Sequence, residues 1–521
     1  MIFERIGQFT EHWARETPWR IATVFGDRRT SYAALHKRVL RAVAALRAAG
    51  IAPGDRVGHM GLNHPDYLVL MQACARMGAV LAPINWRLVA GEVAWILKDA
   101  GIRLLLADRA FAPVVEAAAG QSGIERILFC DAGTASEPDF ATWIEGHAPD
   151  AAEHPAEPDD VVLQLYTSGT TGFPKGALLT HRSLLGTIGK GALTGEDWSR
   201  WDEDDVALVA MPLFHIGGTG WALHALEAGA TAVILARPDI EAIIEMIATE
   251  RVTKAFAVPA VLNMIIHHPK ARTSDLSSLT ELLYGASPIP LEVLKGAMGV
   301  FRNARFIQCY GATETSGTVV YLPPADHDPA GNQRMRGCGK PFPGNEIRIV
   351  DQAGRDLPPR EVGEIAVRSV SVMKGYHNNP EATRKAIRDG WYFTGDAGWM
   401  DEDGYLYIHD RVKDMIVSGA ENIYPAEVEN ALASHPAIKD AAVIGVPDPK
   451  WGEAVKAIVV LKEGMEATEA DIIAHCRAHI AGYKCPKSVD FVAELPRNPS
   501  GKILKKELRK PYWEGRERQV A

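Results

Sequence analysis

Short apolar runs that end near glycine or serine recur along most of this chain, with helix-length segments between them. "DRVGHM" (Asp55–Met60), "AVLAPI" (Ala79–Ile84) and "IRLLLAD" (Ile102–Asp108) read as strands. "HPDYLVLMQACARMG" and "VAGEVAWILKDAG" read as the helices between them, closed by Gly78 and Gly101. Strands joined by ten or more helical residues form parallel βαβ units, because a connection of that length carries the chain back to the same sheet edge. The alternation resumes in "VVLQLY", "ALVAM", "TAVILA", "TKAFAV", "TELLYGA" and "RFIQCYGA". It predicts an α/β fold whose ligand-binding loops follow the carboxyl ends of parallel strands.

The texture changes twice. From about residue 332, short β runs with Gly and Asp turns ("NEIRIVDQAGRDLP", "GEIAVRS", "YFTGDAGWMDEDGYLYIHD") predict a small β-rich subdomain over 332–410. After "DRVKD" a smaller α+β unit begins, so a large N-terminal domain at 1–410 and a C-terminal one at 411–521 are expected, with the boundary between Asp410 and Asp414. A chain of 521 residues exceeds one ordinary domain. The net charge of −9 argues against a nucleic-acid binder. The six cysteines are scattered without a C-x-x-C pair, which suits a reducing compartment. The charged N-terminal stretch has no apolar signal core, and no uncharged run of 18 apolar residues occurs, so a cytoplasmic protein is expected.

"YTSGTTGFPKGALLTH" (Tyr166–His181) packs three Gly, four Thr, one Ser and one Lys into sixteen residues after an apolar run. Backbone N–H groups in such turns make concave anion sites, and small hydroxyl side chains add donors without blocking approach. Lys175 precedes Gly176, outside the Walker register, so a P-loop kinase or ATPase is disfavoured. A solvated surface loop has the same composition. In "QCYGATETSG" (Gln308–Gly317), Glu314 suits a Mg²⁺ ligand and Tyr310 a stacking partner for a base, although an exposed loop carboxylate reads the same way. "YFTGD" offers Asp396 to ribose hydroxyls, and "PRNPSGKILKKEL" carries Lys502. "HPAIKD" (His435–Asp440) reads as a connector, and His475 with His479 as a surface helix face short of a third metal ligand.

Taken together and in this order, "YTSGTTGFPKG", "YGATE", "YFTGD", "DRVKDMIVSGAENIYPAEVE" and "PRNPSGK" resemble the adenylate-forming superfamily: acyl-CoA synthetases, luciferases and peptide-synthetase adenylation domains. The resemblance runs from "TSYAAL" (Thr30–Leu35) to "GKILKKEL" and is strongest to fatty-acyl-CoA and related carboxylate-CoA ligases. It implies ATP, Mg²⁺ and coenzyme A as co-substrates and cofactor. Thr167, Ser168, Gly169, Thr170, Thr171, Gly172 and Lys175 would then orient the ATP phosphates. Gly285, Ala286, Ser287, Gln308, Tyr310, Gly311, Ala312, Thr313 and Ile408 would line the nucleotide site. Asp396 with Arg411 would hold the ribose, and Thr167 with Glu314 the Mg²⁺. Lys502 matches the adenylation lysine and Lys413 the hinge. Gly419, Ala420, Glu421, Arg87 and Lys487 fall at CoA-contact positions, with Ala420 where many members have Gly. Phe214, His215, Trp221, Val258 and Thr318 fall in the acyl region, His215 as a gate to the carboxylate. Gly217, Gly218, Gly220, Gly285 and Gly311 would leave it room.

The implied reaction explains these residue types. A carboxylate attacks the α-phosphate of ATP, giving acyl-AMP and diphosphate; the CoA thiolate then displaces AMP. Two anions must meet in the first step, so the site needs positive charge and alignment more than proton transfer. Rotation of the C-terminal unit about Lys413 would exchange Lys502 for the CoA-facing surface. A medium- or long-chain fatty acid is the first expectation for the acid, with aryl, cinnamate-type or bulky ring acids as alternatives. A non-catalytic adenylate-binding protein is the alternative of another class. The expected partners are small molecules only, with a weak peripheral contact to anionic membrane and a homodimer left open.

Overall fold

The computed structural model describes residues 3–124, 126–131, 138–167, 174–188, 195–411, 414, 416–418, 421–423, 425–448, 451–480, 482–497 and 503–514. Four sheets organise them. In the nine-stranded sheet, Ile21–Phe25, Thr231–Ile234, Val206–Val209, Lys254–Ala257, Glu281–Gly285 and Arg305–Ala312 are neighbours in that order and run parallel. Antiparallel strands close both edges: Arg28–Ser31 on one side, Gly317–Leu322 and Lys340–Pro341 on the other.

The seven-stranded sheet has a parallel core of Val161–Thr167, Val80–Pro83, Arg56–Met60, Ile102–Ala107 and Ile127–Phe129. Lys175–Thr180 then pairs antiparallel with Val161–Thr167, placing Thr167 opposite Lys175. The Gly/Thr-rich stretch therefore joins the two arms of a hairpin, and helix His181–Ile188 follows only after the second arm. Gly375–Tyr376 adds the edge strand, Gly375 opposite Leu178.

The helix Pro65–Met77 has every residue buried and belongs to the largest core cluster, which takes in residues of both large sheets. Its start is specified locally. His64 Nδ1 accepts the Asp66 N–H, Pro65 has no N–H to satisfy, and Gly78 ends the helix in the left-handed region at φ 77°. Its charged residues stay buried because they are paired, Asp66 with Arg38 and Arg76 with Glu11.

A third, antiparallel sheet is built on Glu346–Val350, Gly363–Arg368, Trp391–Met400 and Leu406–Arg411, within the stretch expected to be β-rich. The fourth contains Ile416–Ser418, Glu421–Ile423, Ile438–Asp448 and Gly452–Leu461, with Ser488–Phe491 parallel to the last. Helices Pro425–Ala433 and Glu469–His479 cover it, and Ile416, Val428, Leu432, Val455 and Ile472 form part of its own core. The architecture is the α/β fold with a smaller α+β C-terminal unit that the alternation predicts.

Candidate active site

Glu314 is where three distant segments meet. It lies in the short 3-10 turn Thr313–Thr315, between Arg305–Ala312 and its antiparallel neighbour Gly317–Leu322. Thr315 shapes that turn: its Oγ1 accepts the Ala312 N–H at 2.9 Å and sits 2.7 Å from the Gly317 carbonyl. Glu314 is only 8% exposed, and its Oε1 accepts from Thr167 Oγ1 at 3.1 Å and from the Tyr376 hydroxyl at 2.9 Å. The Lys175 ammonium stands 5.2 Å from the centre of the Tyr376 ring. The hairpin arms thus deliver Thr167 to the carboxylate and Lys175 to the ring of the tyrosine bound to it.

A second polar pair lies on the β-rich side. The buried Tyr310 donates to Asp396 Oδ2 at 2.9 Å. Burial, then the Asp396 charge, pushes the phenol far above its ordinary pKa, so it remains a donor. Asp396 is paired in register with Arg411, and half-buried Ile408 faces Gly398 on the same two strands.

Gly285 and Gly311 have a reason beyond leaving room. A Cβ on Gly285 would stand 2.1 Å from the Cys309 carbonyl oxygen, and one on Gly311 1.9 Å from that of Gly317. The sheet itself demands them, because main chain cannot yield as a side-chain tip can. Just beyond, Ala286 and Ser316 adopt φ of 65° and 54°, a conformation that costs a residue with a side chain on the order of 1 kcal/mol. Gln308 lies opposite Tyr284, and its Oε1 is buried with no hydrogen-bond partner among the described residues. Ser287, Ala312 and Thr313 are half-buried beside these strand ends, as is Thr318, which pairs with Gly311.

On the acyl side, His215 precedes helix Ile216–Ala228, its ring 4.5 Å from that of buried Phe214. Burial, then the Arg87 charge, pushes its imidazole down to about 4, so it is neutral at pH 7. His215 Nε2 is buried without a partner among the described residues. Trp221 is a core residue: its Nε1 donates to the Leu208 carbonyl at 2.9 Å and its ring packs on Trp201 and Phe256. Buried Val258 leads into helix Pro259–His267. Gly218 serves packing, since a Cβ would lie 2.2 Å from the Pro212 oxygen, whereas Gly217 faces the Phe256 ring and Gly220 faces Ile216. Phe256 also lines an apolar cavity of about 20 Å³, with Leu208, Met211, Ile243, Ala257 and Val261.

Asn63 escapes the sequence reading. Its Nδ2 donates to the Met211 and Leu235 carbonyls, each at 3.0 Å, and its Oδ1 accepts the Leu213 N–H at 2.9 Å. It follows the strand Arg56–Met60 of one sheet and holds the segment leading from the other sheet to His215. Its sequence signal is no more than an Asn three residues past the end of a strand.

Arg87 lies over the Trp86 ring, 4.6 Å from its centre, with Arg237 on the same ring at 5.4 Å. Lys487 is exposed, and its N–H bonds the Val455 carbonyl. Ser168, Gly169, Thr170, Thr171, Gly172, Lys413, Gly419, Ala420 and Lys502 lie outside the described residues, as do the side chains of Arg411 and Glu421. His475 Nε2 is engaged by Ser434 Oγ at 2.8 Å and the Ala431 carbonyl at 3.1 Å, and His435 accepts the Ala437 N–H at the turn before Ile438–Asp448. Among the described residues, no group of three His, Cys, Asp or Glu is placed to hold a metal, and no helix is long and apolar enough to cross a membrane. Thr167 and Glu314 nevertheless fit Mg²⁺, which takes one or two protein oxygens and completes its shell with phosphate and water.

Comparison with known proteins places these features in context. The model of the AMP-binding enzyme family matches residues 10–377, and that of the AMP-binding enzyme C-terminal domain matches residues 427–502. A fatty acid–[acyl-carrier-protein] ligase of Streptomyces coeruleorubidus is 41% identical over 98% of this chain and 97% of its own length. A feruloyl-CoA synthase of an Amycolatopsis species is 41% identical over 97% and 99%. Among solved structures, ATP-bound MatB from Rhodopseudomonas palustris superposes with a TM-score of 0.88 at 30% identity, covering 98% of this chain and 99% of its own.

Proposed function

We propose that this chain, which belongs to the AMP-binding enzyme family and within it to the acyl-CoA synthetases, activates a compact carboxylic acid, a ring acid or a chain of moderate length. It is an AMP-forming acid–thiol ligase: carboxylate, ATP and CoA give acyl-CoA, AMP and diphosphate. The observation that carries the site assignment is the convergence of Thr167, Glu314 and Tyr376 beside the Tyr310–Asp396 pair, at the carboxyl end of parallel strands.

In this reading Thr167 and Glu314 hold Mg²⁺, which when bound offsets phosphate charge. Residues 168–172 and Lys175 restrain the departing diphosphate. Tyr310 and the Gly285–Ser287 strand end flank the base, and Asp396 with Arg411 holds the ribose. His215, neutral at pH 7, meets the carboxylate without adding a charge. Lys502 sits beside the α-phosphate during adenylation and leaves when residues 411–521 turn about Lys413, bringing the surface around Gly419, Ala420 and Glu421 to CoA. Arg87 and Lys487 face the CoA phosphates. We place the enzyme in the cytoplasm, a reading supported by its scattered, mostly buried cysteines.

The choice of a compact acid is supported by the aromatic rings that crowd the acyl side, Phe214 against His215 and Trp221 against Phe256. The apolar cavity of about 20 Å³ behind Phe256 supports a second reading, a fatty chain that displaces that ring and extends into it. A panel of alkanoic and aryl acids with ATP and CoA tests both. Diphosphate and AMP are expected, with activity falling as chains lengthen; ADP and phosphate instead would rule out the ligase. Lys502→Ala should abolish adenylation and spare thioester formation from pre-made acyl-AMP. Equal loss of both half-reactions would refute domain alternation.

A further inference from the structure

The helix Lys505–Trp513 begins three residues after Lys502 and carries charged groups that the reaction does not use. Arg509 Nη2 donates to Asp414 Oδ1, and each side chain is only 14% exposed. Asp414 directly follows Lys413 in the chain. One turn earlier on the helix, the Lys505 ammonium stands 3.0 Å from Glu429 Oε1, on the helix Pro425–Ala433. The far side of Lys505–Trp513 is fixed to the fourth sheet. Leu508 and Tyr512 pack on the cluster of Ala442, Ile444 and Val446, and Trp513 Nε1 donates to the Gly445 carbonyl at 2.9 Å.

The segment that carries Lys502 is closed by the residues around it. Arg497 and Ile503 form an antiparallel bridge, and the Leu504 N–H bonds the Pro496 carbonyl at 2.8 Å. The Arg497 guanidinium donates to Asp440 Oδ2, on the strand Ile438–Asp448. Lys502 lies outside the described residues, and its flanks on both sides are anchored to the fourth sheet.

The hinge reaches its two working faces by different routes. The hairpin of Ile416–Ser418 and Glu421–Ile423, which brackets Gly419 and Ala420, follows Lys413 directly in the chain. Lys502 is reached by a longer path, across the sheet and along Lys505–Trp513, and the Arg509–Asp414 bond closes that path back to the hinge. A turn at a hinge moves a distant group by a defined amount only when the body between them is rigid. A largely buried guanidinium–carboxylate bond makes a firm joint, because opening it leaves each charge without its partner.

We propose that Arg509 and Asp414 are positioning residues for adenylation: their bond fastens the residue beside the hinge to the helix behind Lys502, so that rotation of the C-terminal unit delivers the lysine to the α-phosphate. This rests on the ligase and domain-alternation reading above and adds the part that transmits the turn. Thioester formation does not draw on the bond, since the CoA-facing hairpin hangs on the hinge by its own short stretch of chain.

The test follows both half-reactions of the full-length enzyme with the best acid of the panel above: acid-dependent exchange of label between diphosphate and ATP, and thioester formation from pre-made acyl-AMP and CoA. Asp414→Asn and Arg509→Gln should each lower exchange by about 10–100-fold, the scale of a misplacement of about 1 Å at a reacting group, with thioester formation within about threefold of wild type. The double variant should lose no more than the more affected single variant, because the two residues act through one bond. Asp414→Asn keeps the shape of the wild-type side chain, so its outcome decides where Arg509→Gln fails to fold. Equal loss of both half-reactions, unchanged exchange, or losses that multiply in the double variant would overturn the inference and leave the ligase standing. Lys502→Ala in the same assays checks the reading beneath it: equal loss of both half-reactions there would overturn domain alternation and this inference with it. Absence of exchange by the wild type with every acid would overturn the ligase reading itself.

Discussion

Glu314 gains its role from what surrounds it. An exposed loop carboxylate at this position would be solvated, but this one accepts two hydroxyl hydrogen bonds in a nearly buried turn. Glu314→Gln keeps an acceptor for Thr167 or Tyr376 and removes the charge. Acid-dependent exchange of label between diphosphate and ATP should fall by roughly 10²–10³-fold, in the range of losing one key electrostatic contact, with the melting temperature nearly unchanged. A large drop in melting temperature would instead mark the residue as structural. Its candidacy was legible from "YGATE" because a carboxylate after a glycine-containing strand end is a local pattern. The convergence was not legible, since Tyr376 reaches it from 62 residues away and announces itself with no motif. Gly311 shows a related gap. The residue type was evident, but the steric reason for it resides in an antiparallel neighbour, Gly317, that periodicity does not register.

The parallel elements were readable because βαβ units write their order into the chain, each strand separated from the next by a full helix. The hairpin of Val161–Thr167 and Lys175–Thr180 was not read as one. The Gly/Thr-rich loop follows the apolar run "VVLQLY", and the strand–helix alternation assigns no strand to the second arm, "KGALLT". A signal was available. The seven residues 168–174 are too few for a parallel crossover, so two adjacent strands joined by them can only be antiparallel. Asn63 acts at the same scale, joining the end of one element to the path of another. Asn63→Ala removes one acceptor and two donor contacts and strands buried main-chain groups at Met211, Leu213 and Leu235. Denaturant titration should show a loss of about 1–3 kcal/mol, and KM for the carboxylate should rise because the path to His215 loosens. Unchanged stability with unchanged KM would show that the clamp is dispensable.

Five histidines, His59, His181, His215, His224 and His327, are held down to about 4 by burial. In the unfolded chain each binds a proton near pH 6.5. Between those limits the unfolded state carries more protons than the folded one, so folding stability falls as pH drops from about 6.5 toward 4. Thermal melts in matched buffers should show a clear decrease from pH 7 to pH 5, and a flat profile over that range would contradict the burial of these rings. The bonds that unite the proposed nucleotide site span 147, 62 and 86 residues, linking Thr167 to Glu314, Glu314 to Tyr376 and Tyr310 to Asp396. That spacing bears on how the protein is made. As the ribosome extends the chain, the Gly/Thr-rich hairpin emerges long before the tyrosine and aspartate that complete its pocket. Cellular ATP can stabilise only a chain that already binds it, so the first two-thirds of the nascent protein must hold its parallel sheets without that help.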